Sequence, residues 1–213
     1  MLRFSLFRIP VAVDWWFWLS CILLGGGITA QRQEDWIDVA IWTLVVFVSI
    51  MIHELGHAFA GRRFGVNPAI RLHGLGGTTY LPGGQFSRGQ SIFVSAAGPL
   101  AGLALGAVVF GLNRFVGNDP WLMRLALHYA IYINIYWTLI NLLPIQPLDG
   151  GQILREVLGP RRLQITSWIG FAVAAILGVW ALLDNQFILA IMAAMLAYHN
   201  FRQDPVEGGV IKE

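Results

Sequence analysis

The sequence predicts an all-α polytopic membrane protein of about six transmembrane helices, five being the alternative, with a pair of short strands between the second and third. Three observations predict it. Of 213 residues, 56% are hydrophobic and 12% charged, whereas soluble domains need roughly a quarter of their residues charged. Apolar runs follow one another along the chain, several of them near the ~20 residues a membrane helix requires. Nine Trp and thirteen Phe suit an outer surface that faces lipid. The same figures exclude a disordered chain, a coiled coil and a collagen-like chain. The net charge of +2 rests on 14 basic residues, 13 of them Arg, scattered over loop positions, which excludes a nucleic-acid partner. A single cysteine, Cys21 in an apolar run, excludes a disulfide framework and a Cys-built zinc site. The length fits one membrane-embedded domain over residues 1–213, with no appended soluble domain.

The first apolar run, about Val13 to Ala30, opens with Trp15, Trp16 and Trp18, an aromatic signature of the membrane interface. A cleaved signal peptide is the other reading of this run. Ile28-Thr29-Ala30 is a poor cleavage site, and the Gly25-Gly26-Gly27 run with a long apolar stretch favours a retained helix. The second run is about Ile37 to Ala60, the third about Ile92 to Val116, the fourth about Trp121 to Leu143 and the fifth about Ile165 to Leu183. The last, Phe187 to Tyr198, has a length more typical of re-entrant or buried segments. Six spans and five therefore both stay open.

Basic residues orient the runs. With six spans, one side holds 11 of them (Arg3, Arg8, Arg62, Arg63, Arg71, Arg88, Arg155, Arg161, Arg162, Arg202 and Lys212) against Arg32, Arg114 and Arg124. Five spans keep the same sign at 9 against 5. This bias predicts a cytoplasmic N-terminus and cytoplasmic 61–90 and 144–164 segments. In the third run Gly98, Gly102 and Gly106 share one helical face. Small residues at that spacing let membrane helices approach closely, and they predict a packing seam against the second or fourth run.

The second run contains His53-Glu54-Leu55-Gly56-His57. Two histidines four apart lie on one helical face, one turn separated, so both imidazoles can ligate one zinc ion. Glu54 projects about 100° round the helix, near enough to act as base toward water at that ion. Each ionisable group in an apolar span costs a few kcal/mol and is kept for a reason. That weighs against the bland alternative of two packing histidines and a snorkelling Glu. A catalytic zinc usually takes three protein ligands, so a third His or carboxylate must reach the cytoplasmic end of this helix.

Glu34, Asp35, Asp119 and Asp184 fall on the far side, and His128 lies near the wrong face. His199 and Asp204 belong to the C-terminal segment, and Glu156 sits in a solvated stretch. Asp149 remains, with His73 as the open alternative. It stands in Asn141-Leu142-Leu143-Pro144-Ile145-Gln146-Pro147-Leu148-Asp149-Gly150-Gly151, directly after the fourth run. Pro144 and Pro147 prevent a regular helix, and Gly150 and Gly151 permit tight turns. The segment reads as a broken loop at membrane depth, which is tolerated only inside protein or lining a wet cavity. The other reading makes Asp149 the cap of a helix starting near Gln152.

Together these motifs resemble the site-2 protease family of intramembrane zinc metalloproteases. The likeness rests on His-Glu-x-x-His in one span, Asn…Pro-x-x-Pro-Leu-Asp-Gly-Gly after a later one, and Ser95-Ala96-Ala97-Gly98-Pro99 at the third. It runs from about Val13 to Leu154. The resemblance implies cleavage of transmembrane segments within the bilayer, near the cytoplasmic face, by a catalytic core over about 37–154. The C-terminal helices, about 163–200, would be accessory. It also implies one zinc ion per chain, held by His53, His57 and Asp149, with Glu54 as catalytic base. Asn141 is similar to a family position thought to stabilise the developing oxyanion, an interhelical hydrogen bond being its other reading. The implied partners are the bilayer and a transmembrane protein substrate: an anti-sigma factor, a membrane-bound transcription factor precursor or a remnant signal peptide. The implied location is a prokaryotic cytoplasmic membrane, and the oligomeric state stays open.

Ile70, Leu72 and Thr78-Thr79-Tyr80 suit short strands, and the glycines among them suit turns and close backbone approach. This stretch resembles the family's membrane-associated β-hairpin beside the active site. A protease must hold its substrate extended, and an exposed strand edge offers that hold by β-augmentation. The expected substrate-binding backbone is Gly74, Leu75, Gly76, Gly77 and Thr78, a structural loop being the alternative. Arg71 and His73 are expected to face solvent or headgroups. No stretch is long enough for a PDZ or nucleotide-sensing domain. Two rival classes are a non-proteolytic zinc-binding membrane protein and a metal transporter. Glu54 opposes the first, since a structural zinc closes with four protein ligands and needs no base. Ionisable groups gathered at one depth oppose the second.

Overall fold

Ile9, Val11 and Val13 alternate with Pro10 and Ala12, the period of a half-buried strand. In the computed structural model, which describes residues 1–114 and 121–202, they form β2 (Ile9–Val13), paired antiparallel with β1 (Leu2–Leu6). Phe7 and Arg8 make the two-residue turn between them, both left-handed at φ 51° and 61°. The Arg62 guanidinium donates to both of their carbonyls, at 2.8 and 3.2 Å. β3 (Ala69–His73) and β4 (Gly76–Tyr80) complete a sheet of order β1-β2-β3-β4, in which only β2 and β3 run parallel.

These N-terminal strands correct the expected first span. Val13 belongs to β2, and α1 (Trp15–Leu24) has only 10 residues before Gly25 caps it. At 1.5 Å per residue it rises about 15 Å, half the ~30 Å of a hydrocarbon core. The fold is thus mostly helical with a four-stranded sheet, and not all-α.

One face of the sheet is buried. Ile9, Val11, Val13, Ile70 and Leu72 pack with Phe17 and Cys21 of α1 and with Ile50, Met51, Leu55 and Ala58 of α2 (Gln33–Arg63). The register sets Val11 beside Ile70 and Val13 beside Leu72, then Ile70 beside Thr79 and Leu72 beside Gly77. Thr79 and Gly77 therefore continue the buried face toward α2, and a one-residue slip would put Thr78 and Gly76 there instead. α2 carries Glu34 and Asp35 in its first turn and Arg62 and Arg63 in its last, both favourable to the helix dipole. It stops in a Schellman arrangement: Val66 N–H bonds Gly61 O, Gly65 N–H bonds Arg62 O, and Gly65 takes φ +85°.

The remaining helices are α3 (Arg88–Asn113), α4 (Trp121–Asn141), α5 (Asp149–Leu158), α6 (Leu163–Leu183) and α7 (Phe187–Arg202), with a 3₁₀ turn at Pro160–Arg162. Among the described residues three helical stretches are long and apolar enough to cross a membrane: Gln33–Arg63, Arg88–Asn113 and Pro160–Leu183. Val116, the expected end of the third run, lies outside the described residues, as do Asp119, Asp204 and Lys212.

The chain divides into two compact units. The first comprises Met1–Phe86 and the described part of Ala97–Leu139, and holds the sheet with α1 and α2. The second comprises Ser87–Ala96 and the described residues from Ile140 onward. Within it α6 and α7 pack as a helical hairpin, and Arg88 donates to Glu156 O and Val157 O at 2.6–2.9 Å, capping the C-terminus of α5.

Candidate metal centre

His53, Glu54 and His57 lie on α2, each no more than 8% exposed. The i, i+4 spacing brings the two Nε2 atoms to 3.1 Å, with ring centroids 4.9 Å apart and planes at 77°. Two nitrogens sharing a tetrahedral zinc at 2.0–2.1 Å stand roughly 3.3 Å apart. The pair therefore fits a common ion with almost no rearrangement.

Glycines on α3 shape that pair. A Cβ on Gly98 would lie against His57 Nε2, 2.6 Å from Cε1 and 2.7 Å from Cδ2. A Cβ on Gly56 would meet the Ala97 carbonyl, with Ala101 Cβ at 3.0 Å. α2 and α3 thus cross in backbone contact at the histidine turn. Further along α3, Gly102 faces Thr138 and Gly106 faces Asn134 of α4. The glycine seam serves both of its expected partners, one at each end. Asn134 also donates to Ser49 of α2 at 2.9 Å.

Glu54 is held by β4. The Thr79 hydroxyl donates to its Oε2 at 2.6 Å, and a Cβ on Gly77 would lie 2.5–2.7 Å from its Cγ, Oε1 and Cδ. Thr79 falls one residue beyond the expected Gly74–Thr78 stretch. What places it on the buried face is the antiparallel pairing across a two-residue turn at Gly74-Leu75, which sets Thr79 beside buried Ile70. Gly74 and Leu75 form the turn, while Gly76, Gly77 and Thr78 lie in β4. β4 ends the sheet, and no strand among the described residues pairs with its outer edge.

Arg71 is exposed, as expected, and His73 is half-buried. Arg71 Nε and Nη2 bond Asp14 Oδ2 at 2.9 and 2.8 Å, tying β3 to the start of α1. The Asp14 carboxylate raises the Arg71 pKa above its already high ordinary value, by hydrogen bond first and charge second. His73 Nε2 lies 3.0 Å from Thr78 Oγ1.

In the second unit, Asn141 is the last residue of α4, half-buried. Asp149, also half-buried, is the first residue of α5, whose N-cap is Leu148. The helix begins three residues before Gln152, so Asp149 is not its cap. Residues 142–148 form the expected irregular loop. Gly150 is packed against the Leu142 carbonyl and lies, at its Cβ position, 2.5 Å from Leu143 O. Gly151 is similarly 2.5 Å from Ile145 O and 2.7 Å from Gln146 N. Neither position has space for a side chain.

The chain matches the model of Peptidase family M50 over residues 41–122 and 120–183. It is 27% identical, over 94% of its length, to a zinc metalloprotease of Methanocaldococcus jannaschii, of which it spans 59%. A relative in Synechocystis sp. is 32% identical over 72% of the chain, which spans 42% of that protein. The solved site-2 protease from Methanocaldococcus jannaschii is similar at TM-score 0.66 and 25% identity, covering 100% of this chain and 99% of that one.

Proposed function

From the fact that the chain belongs to peptidase family M50, we propose a zinc-dependent intramembrane endopeptidase that cleaves transmembrane segments near the cytoplasmic face. The observation that carries this reading is a pair of buried imidazole nitrogens 3.1 Å apart, with the buried carboxylate of Glu54 on the residue after the first of them. His53 and His57 hold the ion with Asp149 as third protein ligand, a donor set suited to catalytic zinc. When bound, zinc supplies Lewis acidity that polarises a carbonyl and makes water a nucleophile near neutral pH.

Glu54 takes the proton of the attacking water and returns it to the departing amine. Its carboxylate is oriented for this by the Thr79 hydroxyl and by the lack of a side chain at Gly77. The Asn141 amide donates to the carbonyl oxygen as negative charge develops there. A helical substrate hides its carbonyls in intrachain bonds. The outer edge of β4 at Gly76–Thr78, with the Gly74-Leu75 turn, takes the substrate as an added strand and keeps it extended. Exposed Tyr132, Ile135 and Leu139 on α4 and Ile188, Ile191 and Met195 on α7 support lipid-facing roles for these helices. The basic-residue bias supports a cytoplasmic N-terminus. The substrate class is a single-pass regulatory protein or remnant signal peptide.

The test is cleavage of a panel of transmembrane peptides in detergent by the native chain and by Glu54→Gln. Product from the native chain alone is expected. Equal product from both would remove the assignment.

A further inference from the structure

α7 buries one polar side chain deeply. Asn200 is 1% exposed, in the last turn of α7 beside His199 and Arg202. Its amide is fully engaged: Nδ2 donates to Gln146 O at 2.8 Å and to Leu196 O at 2.8 Å, and Oδ1 accepts from Gln146 N at 3.1 Å. Bonding both the N–H and the C=O of one residue fixes the direction of that backbone as well as its place, as a neighbouring strand does. Gln146 stands three residues before Asp149, in the irregular loop that feeds α5.

The packing leaves this backbone little freedom. Gly151 presses on it, its Cβ position 2.7 Å from Gln146 N. Asn200 is in turn seated on α6, because a Cβ on Gly170 would strike its Oδ1 and lie 2.8 Å from its Cγ. The far end of α5 is anchored by Arg88 through Glu156 O and Val157 O. α5 is thus fixed at both ends, and the end that begins with Asp149 is fixed through the Asn200 clamp.

We propose that Asn200 is a positioning residue for zinc binding, setting the backbone from which Asp149 reaches the ion. The α6–α7 hairpin then does more than shield the core from lipid. The proposal rests on the reading of Asp149 as a zinc ligand. Outer partners of metal ligands commonly change metal affinity by about 10–100-fold when removed.

The experiment measures zinc affinity of the full chain in detergent, by competition with a chromophoric chelator. The native protein is compared with Asn200→Leu, Asp149→Ala and the double variant, with thermal unfolding of each metal-free protein as a folding check. Asn200→Leu is expected to weaken zinc binding about 10–100-fold, and the double variant to bind no more weakly than Asp149→Ala. Native affinity in Asn200→Leu, with Asp149→Ala impaired, overturns the clamp and leaves Asp149 as ligand. An equal loss added on top of Asp149→Ala also overturns it, since Asn200 would then act on the whole fold. Native affinity in Asp149→Ala overturns the underlying reading instead. If Asn200→Leu does not fold, Asn200→Asp replaces it in the same comparison, keeping the acceptor for Gln146 N–H and losing the donor to Gln146 O.

Discussion

Adding one methyl group at Gly98 probes the metal centre without touching a ligand. The Cβ of Gly98→Ala would stand 2.6 Å from His57 Cε1 and 2.7 Å from Cδ2. Carbon atoms pack comfortably at about 3.5–4.0 Å, so ring and methyl must separate by about 1 Å. Parting α2 from α3 by that much would give up the backbone contact of Gly56 with Ala97, whereas a turn of the imidazole relieves the clash locally. Zinc–ligand distances tolerate only about 0.2 Å, and a displacement near 1 Å costs on the order of 10² in rate. Gly98→Ala should therefore lose zinc affinity and about 10²-fold in cleavage, with an overpacking cost of about 1–3 kcal/mol. The assays are chelator competition, peptide cleavage and thermal unfolding in detergent. Gly102→Ala is the control: its Cβ meets Thr138 Oγ1 at 2.8 Å, a hydroxyl that can turn aside, so zinc binding should survive. Native zinc affinity and native rate in Gly98→Ala would refute the packing argument.

Two further changes test the sheet. Thr79→Val removes the hydroxyl bonded to Glu54 Oε2; hydrogen bonds to charged groups are worth about 1.5–3 kcal/mol, so cleavage should fall about 10–100-fold with zinc content unchanged. Thr79→Ser should restore it, and a Ser variant as slow as Val would point to lost packing instead. Arg8→Gly relieves a left-handed residue at φ 61° while keeping the carbonyl that Arg62 bonds, so thermal stability should rise by about 1 kcal/mol. A lower unfolding temperature would show that the Arg8 side chain matters more than its backbone.

Helical periodicity made the histidine pair legible, because a spacing of four on α2 converts directly into two adjacent imidazoles. The glycine face of α3 was equally legible, and so were its two candidate partners, α2 and α4; that it meets one at each end was not, since spacing defines a face and tertiary packing decides what meets it. Pro144, Pro147 and the paired Gly150-Gly151 announced an irregular loop before Asp149. The N-terminal hairpin went unread for a physical reason. Its turn, Phe7-Arg8, lacks the Gly or Asn that left-handed turns favour, and Val11 and Val13 merge into the apolar run of α1. Thr79 lies one position past the expected stretch, because a plain period of two from Leu72 leads to Thr78; only the register across the Gly74-Leu75 turn, which sets Thr79 beside Ile70, brings it onto the buried face. Asn200 carries no spacing pattern at all. Its only signature is an amide buried in an apolar helix, which must find partners somewhere.

X-ray absorption at the zinc edge of the purified chain, native and His57→Ala, tests the central claim most directly. The account predicts one zinc per chain with a first shell of two imidazole nitrogens and carboxylate or water oxygens at about 2.0–2.2 Å, losing imidazole scattering in the variant. A native spectrum without imidazole contributions, or one unaltered by His57→Ala, would contradict it.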